Sequence, residues 1–139
     1  MKVMKNSIKV LGAYGSKSLS SNTTCIQINA NSVIDAGNIV KGLGEDGQYI
    51  DNIFLTHSHL DHLNDIPYIL DIFFEKRKKP ITIYGTSKTL DNLKKYILNW
   101  EIWPDFSEIE LIKLFKLPED NIIVHRDRNE NMTRELKLA

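Results

Sequence analysis

The chain has 139 residues, with 18 Lys+Arg against 18 Asp+Glu, 42% apolar residues and one cysteine. This is the composition of a globular domain able to bury a core without disulfides or structural metal. Its formal net charge of +0 argues against a protein whose main task is gripping nucleic acid or an anionic membrane, because either task needs a concentrated positive field.

The N-terminal MKVMKNSIKVLGAYG alternates apolar and polar residues, where a secretory signal would carry a continuous apolar stretch. A cytoplasmic location is therefore expected, and no apolar run is long enough to span a bilayer. Alternation at Ile8 and Val10, and again at Cys25, Ile26 and Ile28, predicts two short strands joined by a turn of serines and Asn22. Asn22-Thr23-Thr24 matches a glycosylation sequon but reads as part of that turn. Cys25 is alone, which excludes an internal disulfide, a cysteine zinc ribbon and a dithiol redox motif. A third strand should hold Val33 and Ile34 and end at Asp35-Ala36-Gly37, where glycine permits a sharp reversal. Asn38 to Leu43 reads as a short helix and Gly44 to Asp51 as a loop. Ile53-Phe54-Leu55-Thr56 then forms a compact strand that delivers the chain directly to His57.

Beyond the histidines the period changes. Leu63, Ile66, Ile69, Leu70, Phe73 and Phe74 recur at three- and four-residue spacing and predict an amphipathic helix. Asp65 is placed to cap it and Pro67 fits its first turn. The basic run from Glu75 to Lys79 reads as its solvated C-terminal end, before Pro80 stops it. Ile81 to Tyr84 make another strand, and Ser87 should cap a helix carrying Leu90, Leu93, Ile97 and Leu98 on one face. Trp100, Trp103, Pro104 and Phe106 form an aromatic corner, and Ile109 to Leu117 is apolar enough to pack. Ile122 to Val124 reads as a last strand and Arg126 to Lys137 as a charged tail. The order points to an α/β (α+β) domain, an antiparallel opening followed by an α/β layer, with no repeat or linker dividing it.

Three of the four histidines fall within His57-Ser58-His59-Leu60-Asp61-His62. Residues two apart on extended chain point the same way, so His57 and His59 can converge on one ion. Asp61 and His62 come where the chain turns into its helix and can face a neighbouring ion. Neutral imidazole and carboxylate suit zinc, iron or manganese, and two such ions can hold a bridging hydroxide. Surface histidines in a polar loop are the plainer alternative, disfavoured by so dense a cluster directly after a strand. Ser58 lacks the Gly-x-Ser-x-Gly elbow of a hydrolase nucleophile and reads as a spacer.

The string HSHLDH resembles the His-x-His-x-Asp-His signature of the metallo-β-lactamase superfamily. Asp35 in VIDAG is similar to the family's early aspartate beside the metal site, and Ser21-Asn22-Thr23-Thr24-Cys25 is similar to the segment entering its second strand. THSHLDH, Leu63 and the WPDF segment most resemble the class II cyclic-nucleotide phosphodiesterase branch. The likeness runs from about Ile8 to Ile109, with Asp65 standing where a small residue is usual.

The resemblance implies a metallo-β-lactamase-like αββα sandwich with a dinuclear site at one sheet edge, here incomplete, with the N-terminal sheet plus helices over residues 1–109 and a divergent or truncated tail of the same domain over 110–139. It implies that His57 and His59 ligate the first metal and that Asp61 and His62 ligate the second, Asp61 serving also as the catalytic carboxylate. Asp35 would orient a ligand or loop through hydrogen bonds. The cofactor implied is a divalent metal, two zinc ions, with manganese or iron as alternatives. The implied reaction is attack of a metal-bridging hydroxide on a phosphodiester or ester centre.

The superfamily also supplies a third histidine to the first metal, a bridging aspartate and a final histidine to the second. His125, after the strand-like Ile122-Ile123-Val124, is the one later histidine, a candidate metal ligand weighed against an exposed histidine beside a charged tail. Asp120 and Asp127 are weaker bridging candidates, and no residue remains for the last histidine. The leading expectation is a metal-dependent, phosphodiesterase-like hydrolase acting on a small-molecule phosphodiester or ester. The alternative is a truncated or degenerate, non-catalytic metal-binding or interaction module. A tRNA-processing nuclease should carry a basic surface, of which only the EKRKK run is present, and thioesterase or glyoxalase-like activity shares the same motif. A missing second sheet would leave an apolar face exposed and favour a homodimer.

Overall fold

The computed structural model describes residues 7–118 with their side chains, and residues 122–126 and 132–136 as backbone strands. Strands β1 (Lys9–Gly12), β2 (Cys25–Asn29), β3 (Ser32–Ile34), β4 (Asn52–Phe54), β5 (Ile81–Gly85) and β6 (Ile112–Lys116) form one sheet in sequence order. β1, β2 and β3 pair antiparallel, and β3 to β6 pair parallel. The sequence-based order of an antiparallel opening and an α/β layer holds. Among the described residues, no helix is long and apolar enough to cross a membrane.

Three parallel steps in one direction, each with the usual right-handed crossover, put every connection on the same face of the sheet. The connections are α1 (Val40–Leu43) with a 3-10 turn at Gly44–Tyr49, then α2 (Leu60–Leu63) and α3 (Ile66–Phe73), then α4 (Ser87–Asn92) with a π-turn at Leu93–Ile97. The buried side chains follow: Val33, Ile53, Ile83 and Ile112 from the sheet meet Ile39, Ile66, Ile69, Leu93 and Leu98 in one core. Cys25 joins it, and burial pushes its thiol up to about 12, so it stays protonated.

The opposite face carries no helix among the described residues. Val10 pairs with Ile26, Ile26 with Ile34, Ile34 with Phe54, Phe54 with Tyr84 and Tyr84 with Phe115, an apolar row crossing all six strands. Phe54 and Tyr84 stack at 4.4 Å, and the row's two ends are well exposed, Val10 at 59% and Phe115 at 54%. Val10 thus lies in a strand with its side chain exposed, while Leu11 beside it joins the core.

Several local expectations are corrected. The predicted helix begins at Ile66, after Asp65 and with Pro67 in its first turn, as expected, while Leu63 belongs to the separate short α2. Asp65 occupies the cap position of α3 without capping it, and Phe74 lies past the helix, exposed. Thr86, one residue before Ser87, caps α4 by accepting from the Thr89 N–H. The reversal after β3 falls on Asp35, at φ 61°, and not on Gly37. The EKRKK run is not simply a solvated end. The Arg77 side chain is 5% exposed and donates to the Gln48 and Ile50 carbonyls and to Asp51, clamping the turn that leads into β4. The charged tail contains β8 (Met132–Leu136), paired antiparallel with β7 (Ile122–Arg126) in a separate two-stranded sheet.

Candidate metal centre

Parallel strands deliver their carboxyl ends to one edge, the place where sites in α/β layers collect. β3 ends at Asp35, and the neighbouring β4 runs through the buried Leu55 to Thr56 and the histidines. Asp35 is 1% exposed, and its N–H bonds the Phe54 carbonyl at 2.8 Å. Its left-handed backbone turns the carboxylate onto the adjacent loop, a conformation Asp tolerates better than most residues. There Oδ1 accepts from the Thr56 N–H at 2.9 Å, while Oδ2 accepts from the Thr56 hydroxyl and from His62 Nδ1, both at 2.8 Å. Backbone bonds from Ala36 N–H to the His62 carbonyl and from Asp65 N–H to the Ala36 carbonyl tie the same two segments together.

These contacts set the imidazole tautomers. The single hydroxyl proton of Thr56 goes to Asp35, so its oxygen accepts from His57 Nδ1 at 2.9 Å. His62 Nδ1 likewise donates to Asp35. Both rings therefore present an unprotonated Nε2 outward when neutral, the arrangement that outer carboxylates and hydroxyls impose on metal-binding histidines. The rings crowd together: His57 lies 4.5 Å from His59 and 4.0 Å from His62, between centroids. Burial lowers the proton affinity of His57, and the neighbouring His62 and His59 lower it further. Burial also opposes protonation of His62, but the Asp35 bond and the charges of Asp35 and Asp61 outweigh it, and the net shift is upward.

The donor set suits a divalent cation. His62 Nε2 and Asp61 Oδ2 stand 3.3 Å apart. With Nδ1–H on Asp35 these are two lone pairs facing each other, a contact that a proton or a shared cation relieves. Among the described residues, no group of three or more His, Cys, Asp or Glu side chains is arranged around one position. The geometry thus supplies donor atoms in pairs, and a closed coordination shell would need more. The site expectation for His57, His59, Asp61, His62 and Asp35 corresponds to residues that the fold gathers at one edge. His125 falls in β7 opposite Thr133; its side chain, and Asp120 and Asp127, lie outside the described residues.

Four contributors escaped the sequence reading. Thr56 links Asp35 to His57, a role no spacing rule signals. Ser58 is more than a spacer, because Asn92 at the end of α4 donates to its hydroxyl at 2.8 Å and ties the loop between His57 and His59 to that helix. Asp65 accepts from the Ile39 and Val40 N–H groups at 2.7 and 2.9 Å, holding the start of α1 against the segment that follows the histidines. Burial raises its proton affinity, against the pull of those two N–H bonds. Gly37 lets three backbone segments meet: a Cβ there would lie 2.5 Å from Thr24 O and 2.6 Å from Asp61 O.

A mixed sheet with helices on one face and a histidine-aspartate loop at its carboxyl edge defines a protein of the metallo-β-lactamase fold. Two solved structures share it: unliganded yeast PDE1 (TM-score 0.67, 19% identity, covering 91% of this chain and 59% of that one) and the metallo-β-lactamase fold protein YhfI of Bacillus subtilis (TM-score 0.61, 19% identity, 91% and 56%). Within that fold the chain belongs to the family described as class-II cAMP phosphodiesterases, whose profile matches residues 8–134, well past Ile109, where the sequence likeness was expected to end. A Yersinia pestis protein named "Probable 3',5'-cyclic-nucleotide phosphodiesterase" is 36% identical over 61 residues, 44% of this chain and 16% of that protein. The chain spans little more than half the length of the matched structures, and its alignment spans a sixth of that relative.

Proposed function

We propose that the chain is a metal-dependent phosphodiester hydrolase acting on a cyclic nucleotide or a similar small diester. His57 and His59 would hold one divalent ion, and Asp61 and His62 a second. The observation that carries the reading is Asp35: one buried carboxylate fixes His62 directly and His57 through Thr56, leaving both Nε2 atoms outward at the edge where the family motif lies. A divalent ion such as zinc, manganese or iron, if held by these residues, would supply a hydroxide nucleophile at neutral pH and neutralise charge on phosphoryl oxygens. Asp35 and Thr56 keep the proton on Nδ1 of each ring, and Asn92 and Gly37 fix where the loop carrying Ser58 and Asp61 sits.

Metal content of the purified chain and hydrolysis of 3',5'-cyclic AMP and bis(p-nitrophenyl) phosphate test this. Bound divalent metal and turnover abolished by His59→Ala are expected. Metal uptake with no turnover of either diester would overturn the catalytic reading and favour a non-catalytic metal-binding module. That second reading has its own support, the lack of a three-residue ligand group among the described residues.

The homodimer has its support in the apolar row, half-buried along its middle and exposed at Val10 and Phe115, since apolar surface left to solvent favours association. Wild type is expected to sediment as a dimer or larger at micromolar concentration. Phe115→Ser together with Val10→Ser should shift it toward monomer. A monodisperse wild-type monomer would overturn the association.

A further inference from the structure

Beside the histidine loop lies a cavity of about 470 Å³ lined by Lys17, Thr23, Leu60, Asp61 and Asn64. Most of its polar lining is already committed to the protein. The Thr23 hydroxyl lies 3.1 Å from the Gly37 carbonyl and 3.4 Å from Asn64 Oδ1, and the Asn64 amide donates to Gly37 O and Asp65 Oδ1. The groups left to meet a ligand are the Lys17 ammonium, the Asp61 carboxylate and the exposed Leu60 side chain.

Lys17 is set apart by its place, because it lines the cavity that also holds Asp61. In the basic run, Lys76 pairs with Glu45, while Arg77 and Lys79 pair with Asp51. Lys17 makes no ion pair within 4.0 Å among the described residues, although it shares a cavity with Asp61. It sits at the tip of the β1–β2 connection. The Ser18 and Ser21 hydroxyls meet there at 2.6 Å, the Ser18 N–H bonds the Ser21 carbonyl, and the Tyr14 N–H bonds the Asn22 carbonyl. The serine-rich turn thus carries Lys17, whose charge also acts on Asp65, to one wall of a cavity that the proposed metal-binding carboxylate of Asp61 lines as well.

We propose that this cavity is a substrate subsite for an organic phosphate ester. Lys17 pairs with a phosphate oxygen, and the ester's ring packs on Leu60. The proposal rests on the hydrolase reading above and deepens it, because it says which side of the metal loop the substrate enters and which residues select it. A charge-assisted contact gives the anion its place, and apolar contact with Leu60 distinguishes an aryl or nucleoside phosphate from inorganic phosphate.

The test is a titration of the zinc-loaded protein with phenyl phosphate and with inorganic phosphate, read from NMR shifts of the Leu60 methyls and the Thr23 amide, with metal content measured on every variant. Wild type should bind phenyl phosphate more tightly than phosphate. Lys17→Gln should weaken both about tenfold or more, Lys17→Arg should restore binding, and Leu60→Ala should remove only the preference for phenyl phosphate. Unchanged affinities in Lys17→Gln at equal zinc content would overturn the subsite and leave the metal reading standing. Failure of wild type to take up zinc would overturn the metal reading. The same titration on metal-free protein would then judge the subsite, with loss of the Lys17→Gln effect overturning it.

Discussion

Asp35→Ala is expected to cost the metal-free protein about 3 kcal/mol or more and to lower metal affinity about 10–100-fold. The substitution leaves three donors, the Thr56 N–H, the Thr56 hydroxyl and His62 Nδ1–H, without their acceptor at a position 1% exposed. Each buried donor left unpaired costs about 1–3 kcal/mol, against a typical domain stability of about 5–15 kcal/mol. Alanine also tolerates the 61° φ of this residue less well than aspartate. Urea unfolding and a competitive zinc titration read the two effects. Asp35→Asn separates them, since it keeps the backbone preference and the size but removes the charge.

The charge has a pH signature in the metal-free protein. Asp35 and Asp61 raise the proton affinity of His62 above the ordinary imidazole value. A raised folded-state value adds stability that is fully present below the unfolded value and is lost as pH rises through the folded one. Asp35→Asn should flatten that dependence and move the His62 titration, followed by NMR, to lower pH. An unmoved His62 titration would show that its proton is not held by Asp35, and the tautomer assignment would fall with it.

The parts of this protein that sequence makes legible are those fixed by local period and by motif. The compact run from Ile53 to Thr56 ends where the histidines begin, and the fold does carry it to a sheet edge beside Asp35. The period of Leu63, Ile66, Ile69, Leu70 and Phe73 correctly identifies which residues enter the core. Illegible were features decided by tertiary contact. Period alone does not tell which face of β1 is covered, and Val10 proves exposed while the neighbouring Leu11 enters the core. A basic run looks the same whether Arg77 points to solvent or clamps three carbonyl and carboxylate oxygens around the start of β4. Asp65 satisfies the local rule for a cap, yet its carboxylate bonds a segment 25 residues earlier, and no local rule sees that far.

Gly37→Ala is expected to have the second large effect, for a reason that has nothing to do with conformational freedom. Gly37 is not among the positive-φ residues, so alanine suits its backbone. The obstacle is space: the added Cβ would stand 2.5 Å from Thr23 C and Thr24 O and 2.6 Å from Asp61 O. All three are backbone atoms in paired segments and none can swing aside. The Gly37 N–H itself bonds Thr24 O at 2.8 Å. Overpacking of this kind costs about 1–3 kcal/mol and occasionally more, and relief requires β2 or the loop carrying Asp61 to move. Metal affinity should therefore fall with stability. Gly44→Ala provides the contrast, because Gly44 has φ 56° with open space around its Cβ position. Its penalty is conformational, about 1–3 kcal/mol, and lies away from the histidines. The two variants should unfold at similarly reduced urea midpoints while only Gly37→Ala loses zinc affinity. Equal zinc affinity in both would mean that the close approach at Gly37 serves the packing of β2 alone and does not set the position of Asp61.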